Sequence, residues 1–185
     1  MNLAQTDAKI SALEACIDNT LEVGADGPLL VGVDLGTAYI VVVVLNDKKE
    51  PVACAMEFAQ VIKDGLVVDY VGATRIVRSL VERLSDELGR ELTRAAIAVP
   101  PGTGGKDCAT HRHVVESAGL EVTEILDAPT AANAVLGLED GVIVDIGGGT
   151  TGLSILKDGQ VVYVADEPTG GTHLTLVIAG NYRIP

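Results

Sequence analysis

The chain is predicted to be an α/β protein built on a mixed sheet, with the same pattern starting again near its end. A repeated phrase carries most of that prediction. Residues 31–37 read VGVDLGT and residues 143–150 read IVDIGGGT. Each is an apolar run ending in Asp, followed by one apolar residue, Gly and then Thr, and each leads into a second β-rich run, YIVVVVL or TGLSILK. The second observation is the order of periodicities: three strands, helix, strand, helix, strand, helix, then three strands and a helix. The third is composition. The 185 residues are 48% hydrophobic with no Trp and one Phe, Phe58, so the core must be aliphatic.

Element by element, Ile10, Leu13, Ile17 and Leu21 recur at helical spacing and predict a helix over residues 6–23, with Thr6 as its cap. The run GADGP at 24–28 breaks it. Strands follow at 29–34, 39–45 and 52–57, with Asn46–Glu50 as a polar turn. Lys63-Asp64-Gly65 between two short apolar pairs signals a hairpin. Ala73, Ile76, Val77, Leu80, Val81, Leu84 and Leu88 form one apolar stripe, and Gly89 stops that helix. A buried strand at 95–99 ends at Pro100-Pro101. A helix at 106–118 closes at Gly119, and a strand covers 122–126. A short helix at 129–136 begins near Asp127, with Pro129 in its first turn. Strands at 141–146, 151–157 and 160–165 form the second copy, the last two joined by the Asp158-Gly159 turn. A final helix is expected at 173–180.

The charge balance excludes several classes of function. Thirteen Lys and Arg against 26 Asp and Glu give a net charge of −13. That argues against nucleic acid and anionic membranes as partners and for a cytoplasmic protein. The apolar stretch 29–45 contains Asp34 and two glycines, so it reads as two strands rather than a membrane span. The N-terminus lacks the basic-then-apolar form of a secretory signal. Cys16, Cys54 and Cys108 are three and far apart, the pattern of reduced thiols rather than a disulfide framework.

The repeated phrase also indicates a ligand. Glycine lets backbone N–H groups approach an anion, Thr adds a hydroxyl, and Asp at a strand end can hold hydrated Mg²⁺. Two such turns facing each other suit a phosphate-rich ligand with a metal. VGVDLGT, ILDAPTAANAVLGL and VIVDIGGGTTGLSIL, in that order, resemble the phosphate-1, connect and phosphate-2 segments of the actin-like ATPases, which include the seventy-kilodalton chaperones, bacterial actins and sugar kinases. KDGLVVDY, AGLEVTEILDAPTAA and YVADEPTGGTHLTLVIAGNYRI resemble more narrowly the chaperone-like ethanolamine-utilisation branch of that superfamily.

The resemblance implies a ribonuclease-H-like lobe with a mixed five-stranded sheet and flanking helices, plus the first strands of a truncated second lobe. Residues 1–27 would be an N-terminal helix and linker, 28–140 the first lobe and 141–185 the partial second. It implies ATP and Mg²⁺ as ligands. Asp34 and Asp145 would hold the metal's hydration shell. Gly36 and Thr37, with Gly147, Gly148, Gly149 and Thr150, would contact the phosphates. Ethanolamine ammonia-lyase or microcompartment proteins are the partners it implies.

Two departures from the family pattern bear on catalysis. The connect motif of the chaperones commonly has Glu before Pro, where this chain has Ala128. They also carry an acid two positions after the second loop's Thr, where this chain has Gly152. Without a group to orient water, hydrolysis is expected to be slow or absent. Asp127 is adjacent, but alternation points it elsewhere. A weak ATPase and a non-catalytic binding or scaffold protein of the same fold both remain open. An incomplete second lobe implies poor ATP affinity. It also implies an apolar sheet face (Ile143, Ile146, Leu153, Ile155, Val162, Val164) that promotes self-association.

Other motifs carry less. PPGTGGKD at 100–107 lacks the first Gly and the final Ser or Thr of a P-loop and reads as a strand-to-helix loop. Cys108, His111 and His113 do not share one helix face, so they read as structural or surface residues. His173 stands alone after the Gly-Gly turn.

Overall fold

The computed structural model describes residues 3–17, 19–21 and 27–184. Helix α1 (Leu3–Ala15) comes first. Then follow strands β1 (Leu30–Leu35), β2 (Tyr39–Leu45) and β3 (Pro51–Phe58), and the small hairpin β4 (Ile62–Lys63) and β5 (Leu66–Val67). Helix α2 (Tyr70–Leu88), strand β6 (Arg94–Val99), helix α3 (Gly105–Ser117), strand β7 (Glu121–Asp127) and helix α4 (Ala128–Leu136) complete the first unit of the chain. Strands β8 (Gly141–Ile146), β9 (Thr151–Lys157) and β10 (Gln160–Glu167) and helix α5 (Gly171–Tyr182) close it.

The five-stranded sheet has the order β3-β2-β1-β6-β7. The first three strands pair antiparallel, while β1, β6 and β7 run parallel. This is the mixed sheet that the sequence predicts. Alternation sorts its two faces. Val31, Val33, Leu35, Ile40, Val42 and Val44 are buried and share one aliphatic core with the α2 stripe and with Val114 and Val115 of α3. Gly32, Val41, Val43, Ala96 and Ala98 lie on the other face, near Ala131 of α4. Helix α2 is bounded as expected: Asp69 accepts from the Gly72 amide at 2.9 Å, and Gly89 ends it in the left-handed conformation at φ 62°.

One expectation for the N-terminus is corrected. The helix stops at Ala15, and Ile17 pairs with Cys54 as an isolated parallel bridge. The Cys54 amide donates to the Cys16 carbonyl at 3.1 Å. A strand contact therefore replaces the last predicted turns, because the edge of β3 offers unpaired backbone groups. Thr6 is not a cap. It is buried inside α1, and its hydroxyl donates to the Val135 carbonyl of α4 at 3.4 Å. Residues 18 and 22–26, where the predicted helix ended and the linker began, lie outside the described residues.

The second sheet is antiparallel, in the order β10-β9-β8. Its two sides differ. Ile143, Ser154 and Leu156 are buried, and Asp127 of the first unit accepts from Ser154 Oγ at 3.2 Å. On the opposite side Val142, Val144 and Ile146 are exposed, as is Val162 in the β10 bulge. Of the six apolar residues expected to need cover, Ile143 has it and Ile146, Ile155 and Val162 do not. No described helix is long and apolar enough to cross a membrane.

Candidate functional site

The two repeated phrases form two hairpins with the same register. Leu35 pairs with Ile40 and Ile146 with Thr151, so residues 36–39 close the first hairpin and 147–150 the second. In each, the aspartate immediately precedes the last paired residue of its strand. The threonines do not match as closely: Thr37 is second in its loop and Thr150 fourth.

The hairpin tips meet. A Cβ built on Gly149 would come within 2.9 Å of Thr37 Cβ, and one on Gly148 within 3.0 Å of Ala38 Cβ. Glycine at these positions is what allows the approach. The start of α5 locks the second tip in place. The Gly171 and Thr172 amides donate to the carbonyls of Gly147 and Gly148 at 2.8 and 2.9 Å.

Between the hairpins is a cavity of about 110 Å³ lined by Asp34, Gly36, Thr37, Asp145, Gly147, Gly148, Gly149 and Thr150. All eight residues singled out from the sequence are therefore brought to one place. It lies past the C-terminal ends of the parallel strands β1, β6 and β7, where open α/β sheets bind ligands. Whole-ligand pockets usually measure ~300–1,000 Å³. This one has room for a phosphate end rather than an entire nucleotide.

Two carboxylates, those of Asp34 and Asp145, face this cavity. Asp34 keeps solvent access through the cavity, yet protein crowds it on its other sides. That desolvation, with added repulsion from Asp145, pushes its carboxyl up to about 6. Burial also raises Asp145. A pair of hard oxygen donors strained by like charge, next to glycine-rich backbone, fits a hydrated divalent cation carrying phosphate.

Ala128 and Gly152 line the same cavity, so the two departures lie where a water-orienting acid would have to act. Asp127 does not substitute for them. It caps α4, accepting from the Thr130 amide at 3.0 Å, and also takes the Ser154 hydroxyl. A side chain at 152 has no room, since its Cβ would stand 2.9 Å from the Pro101 ring and 3.3 Å from Pro129.

Three features escaped the sequence reading. The loop at Pro100-Pro101, read as an ordinary connection, forms part of the cavity wall. The β4–β5 turn closes over the site: a Cβ on Gly65 would come 2.7 Å from the Pro100 ring, and Asp64 lies 3.7 Å from His173 Nε2. The third is Asp166 on β10. It is half-buried, and its Oδ1 is enclosed without a hydrogen-bond partner. Its carboxyl is raised, chiefly by burial, with the neighbouring Thr150 hydroxyl opposing and the charges of Glu167 and Asp145 adding to the rise. His111, by contrast, is a core residue of α3 whose Nδ1 is 2.8 Å from the Asp107 carbonyl.

A mixed five-stranded sheet and a second antiparallel sheet, with two hairpins whose aspartates converge on one cavity, are the arrangement of the actin-like ATPase fold. Known proteins agree. The MreB/Mbl protein family model matches residues 52–183. The chain is 47% identical over 171 residues to the ethanolamine utilization protein EutJ of Salmonella typhimurium, covering 92% of this chain and 60% of that protein. The crystal structure of EutJ from Carboxydothermus hydrogenoformans superposes with a TM-score of 0.91 at 49% identity, covering 100% of this chain and 68% of that one. MreB5 of Spiroplasma citri bound to AMPPNP shares the fold at 19% identity and TM-score 0.66, covering 85% of this chain and 58% of that one. The chain belongs to the MreB/Mbl family of actin-like proteins and, within them, to the EutJ group. It spans about 60% of the length of the curated EutJ relatives it matches.

Proposed function

We propose that this chain binds Mg·ATP by its phosphate end between the two hairpins, hydrolyses it slowly, and serves an ethanolamine-degrading system in a chaperone-like role. The observation behind this reading is the convergence of Asp34, Asp145 and both glycine turns on one cavity. Asp34 and Asp145 would hold the metal through its water shell. The amides of 36–37 and 147–150 would take the phosphate oxygens. Mg²⁺, when bound, supplies the positive charge that spreads over the β- and γ-phosphates. The relative bound to AMPPNP supports the nucleotide, and the EutJ relatives support the pathway. Loop contacts such as Thr37 with Gly149 would part and re-form as nucleotide enters and leaves, moving one hairpin against the other.

A scaffold that keeps the fold without turnover is the second reading, favoured by Ala128 and Gly152. Ethanolamine ammonia-lyase or a microcompartment protein is the proposed client in either case. Calorimetry with Mg·ATP followed by phosphate-release kinetics separates the two. Binding with slow release is expected, binding with none selects the scaffold, and no heat at millimolar Mg·ATP overturns nucleotide binding.

A further inference from the structure

We propose that the groove between helix α1 and the β2–β3 turn docks an acidic, amphipathic segment of another protein. The groove lies apart from the phosphate cavity, and its role does not rest on the nucleotide reading.

Two elements build it. On α1, Gln5, Ala8, Lys9 and Ala12 recur at i, i+3, i+4 and i+7 and so share one helix face. The turn from Asn46 to Pro51 is the opposite wall. Leu21 lies between them, and its amide donates to the Val52 carbonyl at 2.8 Å. The groove measures about 840 Å³. Its middle is apolar and open. Ala8 and Ala12 are exposed and too small to fill it, and Leu21 is 44% exposed.

The rim is cationic. Lys9 stands on one wall and Lys48 and Lys49 on the other, half of the chain's six lysines. Acids outnumber bases two to one in this chain, yet none of the three forms an ion pair with a described residue. The acids of the turn are engaged elsewhere. Glu50 lines the groove, but its Oε2 accepts from Asn46 Nδ2 at 2.9 Å. Asp47 faces Gly27, where a Cβ would come 3.6 Å from its carboxyl carbon. The turn itself is fixed: Asn46 Oδ1 accepts from the Lys48 and Glu50 amides at 2.9 and 3.0 Å. Lys49 is held at φ 62°, a left-handed conformation that Gly or Asn adopts at less cost. A rigid turn therefore presents two adjacent lysines whose charge nothing nearby neutralises.

An apolar middle inside a polar rim is the anatomy of a protein interface. A segment with Leu or Ile over Leu21 and carboxylates on both flanks meets both parts at once. Nucleic acid fits worse. It has no apolar side chain for the middle, and its phosphates would run beyond the lysines onto an acidic surface.

Fluorescence anisotropy with the full chain tests this. The probes are three fluorescein-labelled peptides of about 12 residues, roughly three helical turns. They carry Leu at the same positions and Glu, Gln or Lys at all others. The Glu peptide is expected to bind at least about 10-fold more tightly than the Gln peptide, and the Lys peptide not at all. Lys9→Glu/Lys48→Glu/Lys49→Glu is expected to lose the Glu peptide and gain the Lys peptide, while Lys48→Arg/Lys49→Arg keeps the Glu peptide. Amide NMR shifts on adding the Glu peptide are expected to cluster at Ala8–Ala12, Leu21 and Lys48–Lys49. Thermal melts check folding. If the triple reversal does not fold, Lys48→Ala/Lys49→Ala replaces it, with a loss of at least about threefold expected. The proposal is overturned if the Glu peptide fails to bind at about 1 mM, binds no better than the Gln peptide, or is unaffected by the lysine substitutions. It is also overturned if a single-stranded DNA of similar length binds more tightly and displaces the Glu peptide. Loss of self-association in the triple reversal would make a second copy the occupant and overturn it too.

Discussion

Gly152 and Asp166 stand directly opposite each other on β9 and β10, with the glycine's missing side chain replaced by the rings of Pro101 and Pro129. An acid is thus excluded at 152 by packing, while another carboxylate approaches from the neighbouring strand.

It follows that restoring the family's acid at 152 should fail. Gly152→Asp forces a Cβ to 2.9 Å from a rigid proline ring. Overpacking of this kind costs about 1–3 kcal/mol. Urea denaturation is expected to show that loss, and phosphate release is expected not to rise. A variant as stable as the parent would show that the Pro101 loop yields.

Asp34 sets a pH dependence. Its ordinary value is 3.8 and its folded value about 6, so between these the folded state holds a proton that the unfolded chain has released. Stability from this group therefore falls as pH rises through that window, and the cost is complete above it. Asp145 and Asp166 shift in the same direction. Asp34→Asn removes the cost and is expected to raise Tm at pH 7.5 by about 2 °C after allowance for solvent screening. At pH 5 the gain should be smaller. The same variant should lose Mg²⁺-dependent stabilisation, which in the parent strengthens up to about pH 6 and then levels. An equal gain at both pH values would count against this assignment.

Contact between the hairpin tips gives a third prediction. Gly149→Ala drives a methyl into Thr37, whose Cβ and Cγ2 would both lie 2.9 Å away. A loss of about 1–3 kcal/mol is expected. Pairing it with Thr37→Gly should recover part of that loss, a coupling of at least about 0.5 kcal/mol in a double-mutant cycle. Simple additivity would mean that the tips do not touch in solution.

The exposed row Val142, Val144 and Ile146 lies on β8, an edge strand of its sheet. We propose that two copies of the chain pair through this edge, as unpaired strand edges with apolar faces tend to do. Light scattering at increasing concentration is expected to show a dimer, and Val144→Lys a monomer. A monomeric parent at the highest concentration would rule this out.

Much of the fold was legible along the chain because its signals are local. The α2 stripe and Gly89 specify a helix and its end, and the β-branched run YIVVVVL specifies a strand, whose alternate residues Ile40, Val42 and Val44 the structure buries. The limit of α1 was not legible. Ile10 and Leu21 keep helical spacing, yet both are exposed, and pairing of Ile17 with Cys54 depends on a strand some forty residues away in the chain.

At the site, the sequence by itself determined which residues carry the phosphate chemistry: two aspartates at strand ends, with glycines and threonines in the turns that follow. Their spacing within each hairpin is a property of a few adjacent residues. Only the tertiary structure decided what works beside them. Counted straight back from the Asp158-Gly159 turn, Ala165 would face Gly152. A bulge between Val161 and Tyr163 shifts the register by one, so Asp166 faces it instead and shares a sheet face with Asp145. One inserted residue exchanges the two faces of a strand, and whether the bulge forms depends on how β10 packs across β9 rather than on its own sequence.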